Sequence, residues 1–345
     1  MVAGSAPGEG GRWLGGLRDE ARRRVPPAVW TYVECGAREG LTTAEANAAW
    51  EAVRFRPRVL RGVAEAHLRT TLLGEPFASP IAVAPSAMQR AVHPQGERAM
   101  ASGTAAVGCL HVVSSNAGTP FAELGGGPWW LQAYLPPDRE AMLPVLEEAV
   151  AQGARAVVLT ADTPFPGTKY AVDDADWTGI DLTWWRANFA EPESPDPWKG
   201  ALSPDDVAWL RDRSGVPVVV KGVLRGDDAV RCLDAGAAAI YVSNHGGRQL
   251  DRSVSTAQAL AEVVAAVPQA EVYVDGGIRS GLDAMAALAL GARAVFVGRP
   301  ALHALAVDGA RGVERLLGDL SDELREALVL AGCATPADTR DLLAE

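Results

Sequence analysis

The sequence is poor in cysteine and in positive charge, and both shortages exclude classes of protein. Its 345 residues include four cysteines, which lie far apart and form no C-x-x-C pair: Cys35, Cys109, Cys232 and Cys333. A disulfide framework and a cysteine-based zinc site are therefore excluded, and we expect reduced thiols. The formal net charge of −11 disfavours nucleic acid or an anionic membrane as the main partner.

Long hydrophobic runs are also missing. No apolar stretch approaches the length of a membrane span, and residues 1–12 are glycine-rich without the apolar core of a signal peptide. We expect residues 1–12 to be disordered and the protein to be cytoplasmic. Hydrophobic residues make up 48% of the chain, which is enough for the core of one barrel-sized domain over residues 13–345.

What the sequence does contain is a regular succession of short apolar runs. Residues 13–52 have helical periodicity, broken at Pro26-Pro27 and at Gly36. Further on, eight runs rich in β-branched residues are separated mostly by helical stretches; they span residues 81–84, 111–114, 129–133, 156–160, 216–220, 239–242, 271–274 and 294–297. Short, non-alternating strands between helices indicate a parallel sheet covered on both faces. Eight such units predict the α/β class and a single closed (β/α)8, or TIM, barrel with an N-terminal helical segment.

The segment after the fourth run is different. Residues 165–203 are too irregular for one helix and are rich in proline and tryptophan, with Trp177, Trp184, Trp185 and Trp198. Long insertions in compact domains are typical of lids and binding loops, and loops after barrel strands face the catalytic mouth. We predict that this insertion is a lid over the site.

Polar side chains occur at the end of every predicted strand, where barrel enzymes keep their catalytic groups. In chain order they are Ser86, Ser114, Gln132, Tyr134, Thr160, Asp162, Lys221, residues 243–248, residues 275–279 and Gly298-Arg299. The last two groups indicate a phosphate site, because Gly276-Gly277 and Gly298 let backbone N–H groups approach an anion while Arg279 and Arg299 supply charge.

Two of these residues suggest chemistry directly. Lys221 follows an apolar run, and its position is compatible with a Schiff-base nucleophile, a charge stabiliser for a cofactor ring, or an exposed lysine. His245 can be oriented by Asp162 across the mouth, and such a pair is typical of general-base catalysis. The chain has no serine elbow, and its histidine spacing does not suit a metal.

The stretch 243–251, SNHGGRQLD, resembles the signature of the FMN-dependent α-hydroxy acid oxidase/dehydrogenase family, which includes glycolate, lactate and mandelate-type oxidases. Further blocks resemble the family in its order: residues 55–58, 84–89, 93–94, 160–164, 220–222 and 275–279. The similarity runs from about Pro26 to Cys333.

The resemblance implies an FMN cofactor and a division of roles. His245 would be the base and Asp162 its orienting partner, while Arg248, Tyr32 and Tyr134 would hold the substrate. The predicted cofactor-binding residues are Pro85, Ser86, Ala87, Ser114, Gln132, Thr160, Lys221, Ser243, His245, Arg248, Asp275, Gly276, Gly277, Arg279, Gly298 and Arg299. Lys221 would lie near N1 and O2 of the flavin, which favours the charge-stabilising role. The family also implies a homotetramer.

The same resemblance implies the reaction. His245 would remove a proton while two electrons pass from a 2-hydroxy acid to flavin N5, giving a 2-keto acid. Whether a hydride or a carbanion is involved stays open at this point. The protein would supply orientation and electrostatics, and the flavin the redox chemistry.

Two positions depart from the family pattern. Lys169 stands where the family usually has a second carboxylate-binding arginine, so the charge is kept but the bidentate fork is lost. Asn116 stands where glycolate oxidase carries a tryptophan, which enlarges the substrate pocket. With a tryptophan-rich lid above, we predict a bulky or aromatic 2-hydroxy acid of S configuration, mandelate-like in type.

The electron acceptor is predicted to be oxygen. The chain has no C-x-x-C-H haem site, and residues 169–199 carry seven acidic against three basic residues, which disfavours docking on an anionic membrane. Three alternatives stay open: an FMN-binding barrel with a non-oxidative or regulatory role, an FMN-dependent isomerase, and a dehydrogenase with another acceptor.

Overall fold

The structure, a computed structural model, describes residues 9–173, 178, 180–190 and 201–344, with side chains described from residue 11 onward. The chain begins with three helices: α1 (Glu9–Arg24), α2 (Pro27–Glu34) and α3 (Leu41–Glu51). Their boundaries fall at the predicted breaks.

Helix α1 begins earlier than the sequence predicts. Residues 9–12 are helical, whereas we expected disorder over 1–12; residues 1–8 lie outside the described part of the chain. A glycine-rich stretch shows no helical periodicity of its own. Here α1 packs against the C-terminal helix, and this tertiary contact stabilises the helix where local propensity does not.

A short antiparallel hairpin of β1 (Thr70–Leu72) and β2 (Glu75–Phe77) follows. It lies at the amino end of the barrel, since Leu73 N donates to Glu271 Oε2 at 3.2 Å and Arg293 Nε donates to Thr71 O at 2.9 Å. The hairpin therefore closes the end of the barrel that lies opposite the mouth.

The predicted barrel is confirmed: within the described residues, eight parallel strands close into a ring in the order β10-β3-β4-β5-β6-β7-β8-β9. The strands are β3 (Ile81–Val83), β4 (His111–Ser114), β5 (Trp129–Ala133), β6 (Val157–Thr160), β7 (Val218–Val223), β8 (Ala239–Val242), β9 (Glu271–Val274) and β10 (Ala294–Val297). Each lies within three residues of a predicted run. Lys221 was expected after its strand but lies within β7, paired with Tyr241 in the neighbouring strand.

Aromatic side chains fill the interior of the barrel. Trp130, Tyr241, Tyr273 and Phe296 are almost fully buried, and the ring centroids of Tyr241 and Phe296 lie 4.7 Å apart. These contacts make the lower barrel a packed core, so only the carboxyl ends of the strands leave room for a ligand.

The helices that surround the barrel are α4 (Gln89–Val92), α5 (Gly96–Ala106), α6 (Leu143–Ala151), α7 (Pro204–Ser214), α8 (Gly226–Asp234), α9 (Thr256–Ala266), α10 (Gly281–Ala289) and α11 (Arg299–Leu330). Capping boxes at Ser203, Ser255 and Ser280 define where α7, α9 and α10 begin. In the described part of the chain, no helix is long and apolar enough to span a membrane.

The described parts of the predicted lid, residues 165–173 and 180–190, run mainly in turns and bends. Ala187 N donates to Ala117 O at 3.0 Å, and Phe121 N donates to Asn188 Oδ1 at 2.9 Å. The segment therefore packs on the loop that follows β4. Trp177 and Trp198 lie outside the described residues, and the lid function stays a prediction.

Candidate active site

A pocket with about 1100 Å³ of empty space, its open mouth included, lies at the carboxyl ends of the barrel strands. It brings together Tyr32, Pro85, Ser86, Ala87, Ser114, Asn116, Gln132, Tyr134, Thr160, Lys221, His245, Arg248, Asp275, Gly276, Gly277, Arg279, Gly298 and Arg299, all of which the sequence had pointed to. Of the other three predicted site residues, Asp162 and Ser243 form hydrogen bonds to pocket-lining residues, and Lys169 interacts electrostatically with Arg248.

The apolar part of the wall was missed from the sequence. It consists of Val33, Ala84, Ile278, Phe296, Val297 and Leu302, joined by Trp185 and Gly246. Aliphatic residues at strand ends have the same pattern as ordinary core residues, so periodicity does not distinguish them. The exception is Trp185, since the tryptophan-rich composition of its segment was a usable signal.

His245 and Asp162 form the predicted pair, with Nδ1 of the ring 3.0 Å from Oδ1 of the carboxylate. Burial lowers the pKa of His245 and outweighs the raising effect of Asp162. Burial opposes ionisation of Asp162, yet the charges of His245 and Lys221 lower its pKa to about 2. A neutral ring facing an ionised carboxylate carries its proton on Nδ1. Nε2 is then free to accept a proton, as a general base requires.

The backbone around His245 turns through three consecutive residues with positive φ: 57° at His245, 61° at Gly246 and 76° at Gly247. Histidine tolerates this region better than branched residues do. At Gly247 a Cβ atom would lie 2.3 Å from Thr43 Oγ1, so only glycine allows α3 to approach this closely.

The N-terminal segment is anchored to this turn by Asp251, a role that the sequence did not reveal. Its two carboxylate oxygens accept hydrogen bonds from Gly40 N at 3.1 Å and Thr42 N at 3.0 Å. Ala37 N also donates to Gly247 O at 2.8 Å. These bonds hold α2, and with it Tyr32, against the mouth of the barrel.

Arg248 lies over the ring of Tyr32, with Cζ 4.7 Å from the ring centroid. Its Nη1 donates to Tyr32 O at 2.6 Å. Tyr134 lines the same pocket, and burial together with the charge of Asp162 raises its pKa above the usual range. The Tyr134 hydroxyl therefore stays protonated and can donate to a substrate oxygen.

Lys169 is not among the residues that line the pocket. Its Nζ donates to Gly167 O at 2.8 Å, and its backbone pairs with Arg38. Burial and repulsion from Arg248 lower the pKa of Lys169 to about 8. The charge of Arg248 therefore acts on Lys169, and a role of Lys169 in substrate binding stays a prediction.

Lys221 is held in a buried chain of polar groups. Its Nζ donates to Ser243 Oγ at 2.9 Å, and Ser243 Oγ donates to Asp275 Oδ1 at 2.6 Å. Lys221 Nζ also lies 3.6 Å from Asp275 Oδ2. A paired ammonium of this kind is a fixed positive charge at the pocket wall, as a charge-stabilising role requires.

A second polar chain crosses three strands. Ser114 Oγ donates to Gln132 Oε1, and Gln132 Nε2 donates to Thr160 Oγ1, both at 2.9 Å. The two bonds define the orientation of the Gln132 amide. The three side chains form a continuous polar strip on the wall.

The glycines and arginines after β9 and β10 form part of the pocket wall. Gly277 has φ +85°, and a Cβ there would lie 2.4 Å from Ala46 O. Arg299 is the first residue of α11, so the positive end of a helix dipole adds to its charge. Together with the His245–Asp162 pair and the buried lysine, these groups make up the kind of site that a phosphate-bearing redox cofactor needs in a barrel oxidoreductase.

Comparison with known proteins agrees with this class. Residues 21–345 match the FMN-dependent dehydrogenase family. The chain is 42% identical to the L-lactate oxidase of Roseobacter sp. (strain GAI101), over 94% of this chain and 92% of that protein. It is 38% identical to the glycolate oxidase of Spinacia oleracea, over 91% and 90%. A solved structure of mandelate oxidase with (S)-2-phenylpropionate superposes with a TM-score of 0.89 at 37% identity, covering 95% of this chain and 97% of that one.

The chain therefore belongs to the FMN-dependent dehydrogenase family, and it is a flavoenzyme of the 2-hydroxy acid oxidase type. The predictions of family, cofactor and enzyme class are confirmed.

The residues present fit FMN. Burial lowers the pKa of Arg279, and burial with repulsion from Arg248 lowers the pKa of Arg299 to about 10. Arg279 Nη1 donates to Ile278 O and Arg299 Nε to Val33 O. The charge of Glu34 acts on both guanidinium groups but does not outweigh their burial. A phosphate dianion bound by the two guanidinium groups would supply further negative charge.

Proposed function

We propose that the chain oxidises a bulky or aromatic 2-hydroxy acid of S configuration, mandelate-like in type, to the 2-keto acid, with oxygen as the acceptor. The observation that carries the proposal is the His245–Asp162 pair, 3.0 Å apart, whose ring faces the same pocket as Arg248, Tyr134 and Lys221. A base, an anion clamp, a hydroxyl donor and a fixed cation are the groups that this oxidation requires.

The substrate carboxylate would bind at Arg248, whose guanidinium the ring and carbonyl of Tyr32 hold in place. The protonated Tyr134 hydroxyl would donate to the substrate, and His245 Nε2 would accept the proton that the substrate loses. Asp162 would then stabilise the imidazolium that forms. Binding in this pocket orders the reacting groups before the chemical step.

FMN, when bound, supplies the two-electron acceptor for the substrate. Lys221 would face the N1 and O2 edge of the ring and favour negative charge there. The strip of Ser114, Gln132 and Thr160, with residues 85–87, would line the ring and the ribityl chain. Arg279 and Arg299, with the glycines beside them, would hold the phosphate.

Two wall residues support a large substrate. Asn116 is buried and lines the pocket. Its side chain is much smaller than the tryptophan that, by the family resemblance, glycolate oxidase carries at this position. Trp185 reaches the same wall from the predicted lid and presents an aromatic surface on which a phenyl group could pack. The similarity to a mandelate oxidase points the same way.

Oxygen as acceptor is supported by the relatives, which are named as oxidases. A separate acceptor remains the alternative. Lys169 favours a further alternative, a barrel that binds FMN without oxidising hydroxy acids, because it stands where the family usually has a carboxylate-binding arginine and does not line the pocket.

Anaerobic reduction of the purified flavoprotein tests the proposal. We expect (S)-mandelate to bleach the flavin faster than L-lactate, glycolate or (R)-mandelate, and oxygen to restore the colour with formation of peroxide. Best turnover of glycolate or lactate would contradict the substrate assignment. Bleaching without reoxidation by oxygen would indicate another acceptor, and no bleaching by any acid would indicate the isomerase or regulatory alternatives. His245→Ala should keep the flavin and lose reduction.

We also propose the cytoplasmic homotetramer implied by the family. Phe165, Tyr170 and Leu250 are exposed by 64%, 60% and 74%, and their segments are joined by the bond from Gly167 N to Gln249 Oε1. Exposed apolar side chains on adjoining segments are typical of subunit contacts. Light scattering of the purified protein measures the oligomeric state, and a monomer would contradict the proposal.

A further inference from the structure

A chain of hydrogen bonds runs from the base of the predicted lid to the His245–Asp162 pair. Gly167 N donates to Gln249 Oε1 at 2.8 Å, and Gln249 Nε2 donates to Thr163 Oγ1 at 2.9 Å. Thr163 Oγ1 in turn donates to Asp162 Oδ1 at 3.1 Å. Thr163 and Gln249 do not line the pocket.

The direction of this chain is dictated by its first member. A backbone N–H can only donate, so the atom of Gln249 that faces Gly167 has to be Oε1. The amide nitrogen Nε2 must then face Thr163 and donate to its hydroxyl oxygen. The single hydroxyl proton of Thr163 remains, and two acceptors compete for it: Asp162 Oδ1 at 3.1 Å and His245 Nδ1 at 3.4 Å.

The carboxylate decides this competition. Ionised Asp162 can only accept, so His245 Nδ1, 3.0 Å from Oδ1, has to carry a proton. A protonated Nδ1 cannot accept from Thr163, and the Thr163 proton therefore goes to Asp162. Asp162 Oδ2 has no hydrogen-bond partner among the described residues, so Oδ1 takes both bonds.

We propose that Thr163 and Gln249 are positioning residues, which hold Asp162 and His245 in the one arrangement that leaves His245 Nε2 free to accept a proton. This inference rests on the proposed oxidation and on His245 as its base. It gives Gln249, within the 243–251 stretch, a structural role. Through these hydrogen bonds, the segment that carries Gly167 and Lys169 is connected to His245, the proposed proton acceptor.

The proposal predicts how the acidity of His245 responds. Asp162 raises the pKa of His245, while Lys221 and Arg248, the two cations that face it, lower that pKa. The hydrogen bond from the Thr163 hydroxyl stabilises the negative charge of Asp162 and so weakens the attraction between this carboxylate and the ring proton of His245. Without this bond, the carboxylate would hold the ring proton more tightly, and the pKa of His245 would rise. The reaction needs a neutral His245 ring. When the pKa of that ring rises, the pH below which the rate falls, the acid limb of the pH–rate profile, should therefore move to a higher value.

Three variants test the chain. Thr163→Val removes the donor at nearly constant volume, and Thr163→Ser keeps it. Gln249→Glu reverses the chain: the carboxylate still accepts from Gly167 N, but it also accepts from the Thr163 hydroxyl and draws that proton away from Asp162. Ser253→Ala is the matched control, because it removes an exposed hydrogen bond to Leu250 O in the same segment.

The measurement is the anaerobic rate of flavin reduction by substrate as a function of pH. Thr163→Val and Gln249→Glu should slow reduction by roughly 10- to 100-fold, the range expected for one hydrogen bond to a charged group, and shift the acid limb upward. Thr163→Ser and Ser253→Ala should retain the wild-type limb. An unshifted limb in the first two variants, or a Thr163→Ser variant that behaves like Thr163→Val, would overturn the proposal.

A second readout does not depend on activity. The chain contains five histidines, so ¹⁵N-histidine labelling gives a tractable spectrum in which loss of a signal in His245→Ala assigns the ring. Wild type should show Nδ1 protonated and Nε2 unprotonated near neutral pH, and in Thr163→Val the same tautomer should persist while the pKa of the His245 ring, followed by titration of its ¹⁵N signals, rises. An unshifted His245 pKa in Thr163→Val contradicts the positioning role even if no acid reduces the flavin, which separates this failure from failure of the proposed function.

Discussion

Arg248 and Arg299 donate hydrogen bonds to the same carbonyl oxygen, that of Cys35, at 3.0 and 3.2 Å. Cys35 caps the carboxyl end of α2, where the negative end of the helix dipole favours cations. The arginine predicted to hold the substrate and the arginine predicted to hold the phosphate therefore depend on one helix end. Loosening α2 should disturb both arginines together.

Trp30→Ala tests this coupling. The Trp30 ring stacks on His303, with centroids 5.4 Å apart, and so ties α2 to α11. We expect the KM for substrate and the Kd for FMN to rise together, by roughly 5- to 30-fold for a loss of about 1–2 kcal/mol. Trp13→Ala is the control, since Trp13 lies in α1 and its ring contacts Arg315 of α11. Equal effects of the two substitutions would mean general destabilisation only.

The pH profile of kcat/KM should have two limbs. His245, with its pKa lowered by burial, has to be neutral, so activity falls in acid below the ordinary pKa of histidine. Lys169, with its pKa lowered to about 8, loses its charge as pH rises through that value, so KM should increase there. Lys169→Arg should remove the alkaline limb because arginine stays protonated. An alkaline limb that persists in this variant would assign it to another group.

Arg279→Gln should weaken FMN binding through the phosphate. Loss of one charge-assisted hydrogen bond costs about 1.5–3 kcal/mol, or roughly 10- to 100-fold in Kd. Riboflavin, which lacks the phosphate, is the matched control ligand, and its Kd should stay close to the wild-type value. Fluorescence quenching during flavin titration measures both. An equal loss of affinity for both ligands would place Arg279 away from the phosphate.

Asn116→Trp should exchange substrate preference. The buried Asn116 side chain lines the pocket, and a tryptophan there would occupy space that the proposal gives to a phenyl group. We expect kcat/KM for (S)-mandelate to fall by at least about 10-fold, which corresponds to about 1.4 kcal/mol, while that for glycolate is kept or increased. Turnover of both acids under the same conditions measures this, and a parallel loss would show that residue 116 does not select for size.

Much of the architecture follows from local pattern. The eight barrel strands lie within three residues of the predicted runs, because a strand buried on both faces needs a short apolar stretch wherever it occurs. His245 follows the sixth of these strands, and Arg279 follows the seventh. In a closed parallel barrel, residues that follow the strands lie at the mouth. These residues could be found without knowing the contacts.

Other features depend on contacts between distant segments. The helix at residues 9–12 exists because α1 packs on α11, and no local propensity signals it. Lys221 lies within β7, and its side chain meets Ser243 and Asp275, which follow β8 and β9. The anchor from Asp251 to Gly40 spans 211 residues of sequence, so only the closed fold reveals it.

The sequence by itself therefore determined the barrel, the strand ends that carry the chemistry and, through the 243–251 stretch, the family. The tertiary structure alone decided how α2 covers the mouth, which apolar residues complete the wall, and that the charge of Arg248 acts on Lys169. The physical reason is that the hydrophobic periodicity of a segment indicates only which of its own residues are buried. The distance between two side chains far apart in sequence is defined only when the barrel closes and the N-terminal helices dock on it.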